Sequence, residues 1–467
     1  METLRPTIGL LAPTLELYET LAPDLRPRRE EWLRKQVIPQ LERVAEVVFG
    51  GAVYRGEAVE AAVADFQARS LDAILVVLPT YAPSLISLEA LKKTHLPILV
   101  WNTQELYGVD GSFGNGELTD NHGVHGTQDL ANVLLRSGVR FEYVTSHLRD
   151  PGAAEHLADF FWAAAASRRL RRARIGLLGY PFPGMGDFAV DLTQFAATLG
   201  CQVVPLSLER LNMLAEQAGG EKVRWLVEEY RREYDLAGDV TGEDLEATAR
   251  IELAMREMVR QESLEALTYQ FLALGEDPRT LTVPFVAASR LMAEGIGFGG
   301  EGDVISAAGT WLLNRLSPPA SFTEMFTIDF AGNSVLMSHM GEANVAMARR
   351  DRKIPLRPRV SPITRTRMGQ LSLVTALEPG PATIMSLTQG PHGRWRLIAS
   401  AAAIADFGPL EALQVPHFKL LPAGDVRKFL TDYARAGGPH HLAICLGDAR
   451  RRIRFAAAIL DADYIEV

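Results

Sequence analysis

Short apolar runs alternate with longer amphipathic ones from residue 7 to about residue 146. The apolar runs include TIGLLAP, AILVVLP and PILVWNT, and the amphipathic ones include AVEAAVADFQA and LISLEALKK. Strands that are continuously apolar, without a polar residue at every second position, are typical of parallel sheets covered by helices on both faces. This part of the chain is therefore predicted to be an α/β domain with a parallel sheet.

A second series of the same kind follows a long predicted helix over residues 152–172. It contains the strand-like runs RIGLLG and CQVVPLS. Helical patterns follow over residues 188–198, 221–234 and 243–273. A second α/β domain is therefore expected.

After about residue 316 the pattern changes to apolar segments separated by turn signals, such as FTIDFAGNSVLMSHM and HFKLLPAG. Such spacing indicates an antiparallel sheet or barrel. The predicted organisation is therefore an N-terminal α/β domain over residues 1–172, a central α/β domain over residues 173–317 and a C-terminal β-rich domain over residues 318–467.

Composition limits the classes of function. A chain of 467 residues is too long for one ordinary core, and its 47% hydrophobic and 22% charged residues are typical of globular proteins that fold in water. The net charge is −9 and the basic runs over residues 168–174, 349–359 and 450–454 are short. We interpret those runs as solvated surface or interface salt bridges, and expect no nucleic-acid partner.

Cysteine content and hydropathy suggest the cellular compartment. Cys201 and Cys445 each lie in an apolar, strand-like run, so we expect two buried thiols without a disulfide, as is usual in a reducing cytoplasm. The N-terminal stretch METLRPTIGLLAP contains no apolar run long enough for a signal peptide. No segment approaches the ~20 apolar residues that span a bilayer. We expect a cytoplasmic protein without a membrane partner.

Residues 295–303 read GIGFGGEGD and fit the letters of the dinucleotide-binding pattern G-x-G-x-x-G. That pattern needs a strand before it, whereas the preceding stretch FVAASRLMAE has a helical pattern. Glu301 and Asp303 would also repel a pyrophosphate at the following helix. We therefore expect no nucleotide. Either carboxylate could cap the helix VISAAGTWLLNRL, or the glycines could deliver Glu301 into a cleft.

Further ionisable residues lie in or beside apolar segments downstream. They are Glu324 in SFTEMFTIDF, His339 in VLMSHM, and His440 and His441 in GGPHHLAICL. An ionisable group in apolar surroundings is costly unless it is paired or bound to a metal. Carboxylates and imidazoles together suit Mn²⁺, Co²⁺ or Mg²⁺ better than a structural zinc ion. On residue types alone, a hydrogen-bonded core histidine remains the commoner fate of each imidazole.

Four segments, SRLMAEGIGFGGEGD, SFTEMFT, SHM and GGPHH, resemble in order and separation the metal-site segments of the L-arabinose isomerase family, within the wider L-arabinose and L-fucose isomerase group. The likeness continues in ARIELAM, NTQELYG and NHGVHGTQD and covers most of the chain. The resemblance implies two α/β domains with parallel sheets followed by a C-terminal domain with a β-barrel. It also implies a metal-dependent aldose–ketose isomerase that acts through a cis-enediol, converting L-arabinose to L-ribulose or D-galactose to D-tagatose.

The resemblance assigns roles to individual residues. Glu301, Glu324, His339 and His441 are the implied metal ligands, and the two glutamates are also the implied catalytic acid and base. The implied cofactor is Mn²⁺, with Co²⁺ or Mg²⁺ as alternatives. The implied contacts with a small-molecule sugar are Tyr18, Tyr81, His125, Met185, Phe271 and His440. Because the N-terminal contacts in this family often come from a neighbouring subunit, we expect a homo-oligomer, a hexamer or tetramer, with active sites at subunit interfaces.

The chain departs from the family pattern at several positions. Leu15 and Glu16 replace a glutamine and a histidine before Leu17 and Tyr18, His122 stands where glutamine is usual, and Gly186 with Asp187 replaces an arginine-bearing stretch. Polar groups that contact sugar hydroxyls discriminate strongly between substrates. Three alternatives therefore stay open: an isomerase of a different or modified aldose, a non-catalytic sugar-binding homologue, and a nucleotide-dependent dehydrogenase.

Overall fold

The computed structural model describes residues 5–359 and 370–467. The chain forms two compact units, one ending at Arg168 and the other beginning at Arg169. In the described ranges, every helix is too short or too polar to cross a lipid bilayer.

The N-terminal unit is built on a five-stranded parallel sheet with the strand order β2-β1-β3-β4-β5. All four residues of its central strand are buried, as expected for a strand covered on both faces. The strands are β1 (Thr7–Leu11), β2 (Glu46–Val48), β3 (Ala73–Val76), β4 (Ile98–Asn102) and β5 (Glu142–Thr145). The helices are α1 (Tyr18–Leu21), α2 (Leu25–Trp32), α3 (Ile38–Leu41), α4 (Gly56–Ala68), α5 (Leu85–Lys93), α6 (Asn115–Asp120), α7 (Gly123–Arg136) and α8 (Ala153–Leu170), with a π-helical turn, Leu33–Val37, between α2 and α3.

The second unit begins with a four-stranded parallel sheet with the order β10-β9-β6-β7. The strands in this part of the chain are β6 (Arg174–Leu178), β7 (Gln202–Leu206), β8 (Asp235–Leu236), β9 (Ala266–Tyr269) and β10 (Gly297–Gly299). The helices are α9 (Leu192–Leu199), α10 (Leu208–Glu216), α11 (Gly220–Glu233), α12 (Gly242–Glu262), α13 (Phe271–Glu276), α14 (Phe285–Ala293) and α15 (Val304–Leu316).

Two strands of this sheet correct the sequence prediction. The helix predicted over residues 243–273 ends at Glu262, and the buried residues Ala266–Tyr269 form β9 instead. The glycine run contains a strand of its own, Gly297–Gly299, which pairs with β9. A Cβ atom on Gly297 would lie 2.4 Å from the carbonyl oxygen of Ala307 in α15, so glycine is required where this helix packs on the strand.

The C-terminal part of this unit is a closed barrel of six antiparallel strands, which confirms the predicted fold class. Going around the barrel the order is β15-β18-β11-β12-β17-β16, and β16 pairs again with β15. The strands are β11 (Ala320–Asp329), β12 (Ser334–Ser338), β13 (Pro355–Arg359), β14 (Gln370–Leu373), β15 (Gly380–Gln389), β16 (Trp395–Ile404), β17 (His417–Pro422), β18 (His441–Leu446) and β19 (Asp463–Glu466), and the helices are α16 (Val426–Arg435) and α17 (Arg450–Leu460).

Strands outside the barrel complete the unit. β19 pairs in parallel with β16 on the outside of the closed barrel. β13 pairs with β14 and with β8 in a small three-stranded sheet. The apolar residues of that sheet pack against helices α11 and α12. The predicted domain boundaries at 172/173 and 317/318 stay predictions.

The burial of individual side chains tests the expectations for the two cysteines and for one basic run. Cys201 and Cys445 are buried free thiols, as predicted, and burial raises the pKa of Cys201 to about 12 and that of Cys445 to about 11. Of the two interpretations of the basic run over residues 349–359, solvated surface or interface salt bridges, the first is wrong at its last residue. Arg359 is only 9% exposed, and its guanidinium contacts the sulfur of Met340 and lies 5.5 Å from the centre of the Phe285 ring.

The barrel core gives a prediction about stability. Ile444 on β18 is fully buried, whereas Ile328 on β11 is 41% exposed. We expect Ile444→Ala to cost ~2–5 kcal/mol through lost burial and a cavity, and the matched control Ile328→Ala about 0.5 kcal/mol or less. Urea denaturation would measure both. Equal shifts of the two midpoints would contradict the barrel core described above.

Candidate functional site

Strand pairing in the barrel brings distant ionisable residues together. Glu324 on β11 lies directly opposite His441 on β18 and opposite Ser338 on β12, and His339 follows Ser338. The pairing of β11 with β12 shifts register between Met325 and Thr327, just after Glu324. Such bulges commonly re-aim side chains beside functional sites. Register therefore places one carboxylate and two imidazoles at neighbouring positions on the barrel wall.

The glycine run supplies the second carboxylate from the parallel sheet. Glu301 lies in the turn between β10 and α15 with a φ of 59°, in the left-handed region that costs a non-glycine residue on the order of 1 kcal/mol. Gly302 has a φ of 84°, and a Cβ atom there would lie 2.5 Å from the carbonyl oxygen of Tyr180. The carbonyl of Glu301 accepts a hydrogen bond of 2.9 Å from the backbone of Phe182. This packing holds the strained turn in place.

The cluster formed by Glu301, Glu324, His440 and His441 has one ligand-type atom from each residue within 4.8 Å of the others. His441 Nε2 lies 2.7 Å from Glu324 Oε1 and 3.8 Å from Glu301 Oε2. His440 Nε2 lies 3.8 Å from Glu324 Oε1 and 3.9 Å from Glu301 Oε2. His339 Nε2 approaches from another side, 3.8 Å from Glu324 Oε1.

Each imidazole has a carboxylate on its other ring nitrogen. His441 Nδ1 lies 3.0 Å from Asp303 Oδ2, and His339 Nδ1 lies 2.5 Å from Glu342 Oε2. His440 Nδ1 lies 2.6 Å from Asp187 Oδ2. A carboxylate behind a histidine fixes its tautomer and turns the free nitrogen toward a bound metal. The Nε2 atoms of His440 and His441 thereby lie near both glutamates, and that of His339 lies near Glu324.

The donor set fits a divalent cation. Within the described residues, Glu301 Oε2, His339 Nε2 and His441 Nε2 are buried and have no hydrogen-bond partner. The 2.7 Å contact between His441 and Glu324 therefore lacks hydrogen-bond geometry, although the atoms touch. Unpartnered buried polar atoms are costly, and a shared cation would satisfy them together. Two carboxylate oxygens and two or three imidazole nitrogens form a set that Mn²⁺, Co²⁺ or Mg²⁺ accepts.

The pKa shifts of His339, His441 and Glu324 also favour a bound cation. Burial would lower the pKa of His339 and of His441, but the surrounding carboxylates outweigh it and raise both above their usual values. Burial would raise the pKa of Glu324, but the neighbouring imidazoles outweigh it and lower the pKa. The carboxylates thus give the cluster a negative potential that attracts positive charge. A bound cation would displace the protons that this potential otherwise retains.

The sequence left open whether Asp303 or Glu301 caps the helix that follows the glycine run, and the structure assigns the cap to Asp303. Asp303 caps α15, since its Oδ1 accepts hydrogen bonds of 2.8 Å and 2.9 Å from the backbones of Ile305 and Ser306. Its Oδ2 faces His441. Glu301 does not cap the helix and belongs to the cluster.

Three predicted sugar contacts lie near the cluster in the second unit. Phe271 lines a pocket together with Glu301 and His339. Met185 lies in the loop after β6, which also carries Phe182 and Asp187, and the Phe182 and Phe271 rings are 5.9 Å apart. His440 is a member of the cluster as well as a neighbour of the pocket, with its side chain 39% exposed. Their contacts with a sugar stay predictions.

The remaining predicted contacts form a group within the N-terminal unit. Tyr18 Oη lies 2.9 Å from His122 Nε2, and the Tyr81 ring stacks on His125 with centroids 4.6 Å apart. Burial and the charge of His125 lower the pKa of His122. His122, one of the departures from the family pattern, is therefore a direct partner of Tyr18.

Sequence reasoning missed several residues of the site. Glu342 holds His339 and also accepts a hydrogen bond from Tyr269, and Asp187 holds His440. Arg359 and Gln370 line the pocket. The only signal for Glu342 was an acidic residue three positions after His339, beside apolar sequence. Asp187 gave no signal of this role, because its partner is 253 positions away.

Family models match three consecutive parts of the chain. They describe the N-terminal domain of fucose/sulfoquinovose isomerase over residues 28–171, the L-arabinose isomerase central domain over residues 177–317, and the L-arabinose isomerase C-terminal domain over residues 319–463. The chain belongs to the L-arabinose isomerase family. Members of this family are aldose–ketose isomerases, and this chain is an enzyme of that class.

Individual relatives agree with this assignment. The L-arabinose isomerase of Acidothermus cellulolyticus is 27% identical and aligns over 83% of this chain and 79% of its own. The enzymes of the same name from Geobacillus kaustophilus and a Nocardioides species are 29% and 28% identical, over 88% and 79% of this chain and 83% and 75% of theirs. A solute-binding protein from Actinobacillus succinogenes with bound D-allose is 15% identical and aligns over 67% of this chain and 91% of its own. Its TM-score of 0.15 is too low to indicate a shared fold.

The carboxylate behind His441 gives a testable prediction. Asp303→Asn keeps a capping side chain for α15 but changes the group that faces His441 Nδ1. We expect Mn²⁺ affinity to fall by roughly 10- to 100-fold, measured by electron paramagnetic resonance of free Mn²⁺. The control is Asp191→Asn, because Asp191 caps α9 in the same way, with its Oδ1 accepting from Thr193 and Gln194. If both variants bind Mn²⁺ like the unaltered protein, Asp303 does not orient a ligand.

Proposed function

We propose that this isomerase uses a divalent cation, preferably Mn²⁺, bound by Glu301, Glu324, His339 and His441. The observation that carries the proposal is the set of three buried ligand-type atoms, on Glu301, His339 and His441, that have no hydrogen-bond partner among the described residues. His440 lies close enough to the two glutamates to add a further nitrogen.

The chemistry requires one proton to move between C1 and C2 of the sugar. A carboxylate removes the C2 proton, the C–H electron pair forms the C1–C2 double bond, and O1 gains a proton to give the cis-enediol. Return of a proton to C1 and loss of the proton on O2 then produce the ketose. A bound divalent cation would supply Lewis-acid polarisation of the two sugar oxygens. There is no net redox change, so no nicotinamide is needed.

The two glutamates are suited to different parts of this sequence. Glu301 lines the pocket beside Phe271, so its carboxylate is assigned the removal of the carbon-bound proton. Glu324 Oε1 lies 2.7 Å from His441 Nε2. Glu324 is not among the residues that line the pocket, so it is assigned the transfer of the hydroxyl protons. A positioned general base or acid contributes typically 10²–10⁴-fold to the rate.

The relatives' names make L-arabinose, giving L-ribulose, the first substrate to test, with D-galactose to D-tagatose as the related reaction. A differently substituted aldose is the second candidate. It is favoured by the pocket residues Arg359 and Gln370, which bear polar groups without partners.

The N-terminal group of Tyr18, Tyr81 and His125 is proposed to contact sugar in a homo-oligomer of this chain. Large apolar side chains are exposed in the same unit, with Leu17 at 54%, Tyr107 at 58% and Val109 at 69%. Exposed apolar groups of this kind are common at subunit interfaces. Light scattering should therefore give a mass several times that of one chain, and a monomer would contradict the proposal.

Metal removal and replacement test the proposed chemistry. We expect the chelated protein to form no ketose from a panel of aldoses and to regain activity with Mn²⁺. Glu301→Gln and Glu324→Gln should each lower kcat by roughly 10²–10⁴-fold, because an amide neither transfers protons nor carries charge. Glu294→Gln is the control, since Glu294 is exposed and pairs with Arg256. Full activity in the chelated protein would refute the metal role.

The proton path has its own test. When the reaction runs in D₂O, the cis-enediol route should place deuterium on C1 of the ketose, because a carboxylate proton exchanges with solvent. Nuclear magnetic resonance of the product measures the incorporation. A direct hydride shift between C2 and C1 would leave C1 without deuterium and would rule out the assigned role of Glu301.

A further inference from the structure

The pocket beside the cluster contains polar groups that isomerisation itself does not use. Glu301 and His339 belong to both the cluster and the pocket, whereas Arg359 and Gln370 line the pocket only. The apolar part of the lining includes Phe271. A ligand that reaches the cluster through this pocket therefore also meets a guanidinium and a carboxamide.

Arg359 and Gln370 are placed side by side by strand pairing. They are direct partners in the antiparallel pairing of β13 with β14, so their side chains lie on the same face of the small sheet. Arg359 is 9% exposed and Gln370 is 1% exposed. Two neighbouring strands thus build one polar wall of the pocket.

Several polar atoms of this wall have no hydrogen-bond partner in the described part of the chain. Both Gln370 side-chain atoms and Arg359 Nη1 are buried without a partner. Arg359 Nη2 has only the sulfur of Met340, at 3.7 Å, and the guanidinium carbon lies 5.5 Å from the centre of the Phe285 ring. Buried donors and acceptors are nearly always satisfied in folded proteins. As far as the described residues go, these atoms are open to hydrogen bonds from a ligand.

The charge on Arg359 is also incompletely balanced. Within the described ranges no carboxylate forms an ion pair with its guanidinium. Glu342, whose charge does act on Arg359, is engaged with His339 and Tyr269. Burial lowers the pKa of Arg359 more than the charges of Glu342 and Tyr269 raise it. A buried guanidinium in this state is stabilised by an additional anionic partner.

We propose that Arg359 and Gln370 bind an acidic group at the far end of the sugar, so that the preferred substrates are aldoses whose carbon chain ends in a carboxylate or a similar oxyanion. This inference rests on the proposed function, because it places C1 and C2 of the same sugar at the cluster. A guanidinium binds a carboxylate through two parallel hydrogen bonds, and the Gln370 amide adds a donor to either oxygen.

The experiment compares acidic and neutral sugars on the Mn²⁺-loaded protein. Ketose formation is measured from L-arabinose and D-galactose, from the uronic acids D-galacturonate and D-glucuronate, and from D-glucose 6-phosphate, which separates a carboxylate from a phosphate. We expect kcat/KM to be highest for a uronic acid. Arg359→Met should lower that value by roughly 10- to 100-fold, the loss expected for hydrogen bonds to a charged group, mainly through KM. Arg359→Lys should retain part of the preference.

A binding measurement makes the inference independent of turnover. Calorimetry compares the C1-reduced form of a uronic acid with the corresponding neutral sugar alcohol, for the unaltered protein and for Arg359→Met. The matched control is Arg357→Met on the same strand, since Arg357 pairs with Asp235 at 2.9 Å and does not line the pocket. Tighter binding of the acidic ligand that disappears only in Arg359→Met is the expected result.

The outcomes separate this inference from the proposed function. Equal or weaker binding of the acidic ligand, or an acid preference that survives Arg359→Met, overturns the acidic subsite even if neutral aldoses are isomerised. Absence of ketose from every aldose refutes the proposed function instead, and the calorimetric comparison still decides the subsite.

Discussion

The direction of each imidazole at the cluster is set by a carboxylate on its far nitrogen, and the site depends on this constraint. Asp303, Glu342 and Asp187 hold His441, His339 and His440 respectively. These carboxylates come from different parts of the second unit: a helix cap, the turn after β12 and the loop after β6. The geometry of the free nitrogens is therefore fixed before any ligand arrives, and little reorganisation is needed for binding.

The same concentration of acidic groups creates the main energetic problem of the site. Glu301 and Glu324 lie close together in the cluster, and Glu301 also occupies an unfavourable backbone conformation. The close packing of Gly300 and Gly302 against His339 and Tyr180 leaves no room to relax this turn. Stability is thus given up locally for a preformed binding site, as is common where chemistry is performed.

The sequence predicted the fold class well, because continuous apolar runs such as β3 report burial on both faces directly. It missed β9 because ALTY lies between two helical patterns, and β10 because its residues are mostly glycine. Glu301, Glu324 and His441 were candidates from residue type, but only the resemblance to the family joined them in one site. The strand register that pairs Glu324 with His441 spans more than a hundred residues. Burial of Arg359 was hidden by the basic run that it ends, because charge alone does not show which side of a strand faces inward.

The cluster draws its residues from two separately built layers. Glu301 belongs to the turn after a parallel strand, whereas Glu324 and His441 belong to antiparallel barrel strands. An ion held by all three would act as a cross-link between sheet and barrel, and its binding energy would count toward the stability of their junction. Loss of the ion would then loosen the architecture itself, so that catalytic competence and thermal resistance would rise and fall together.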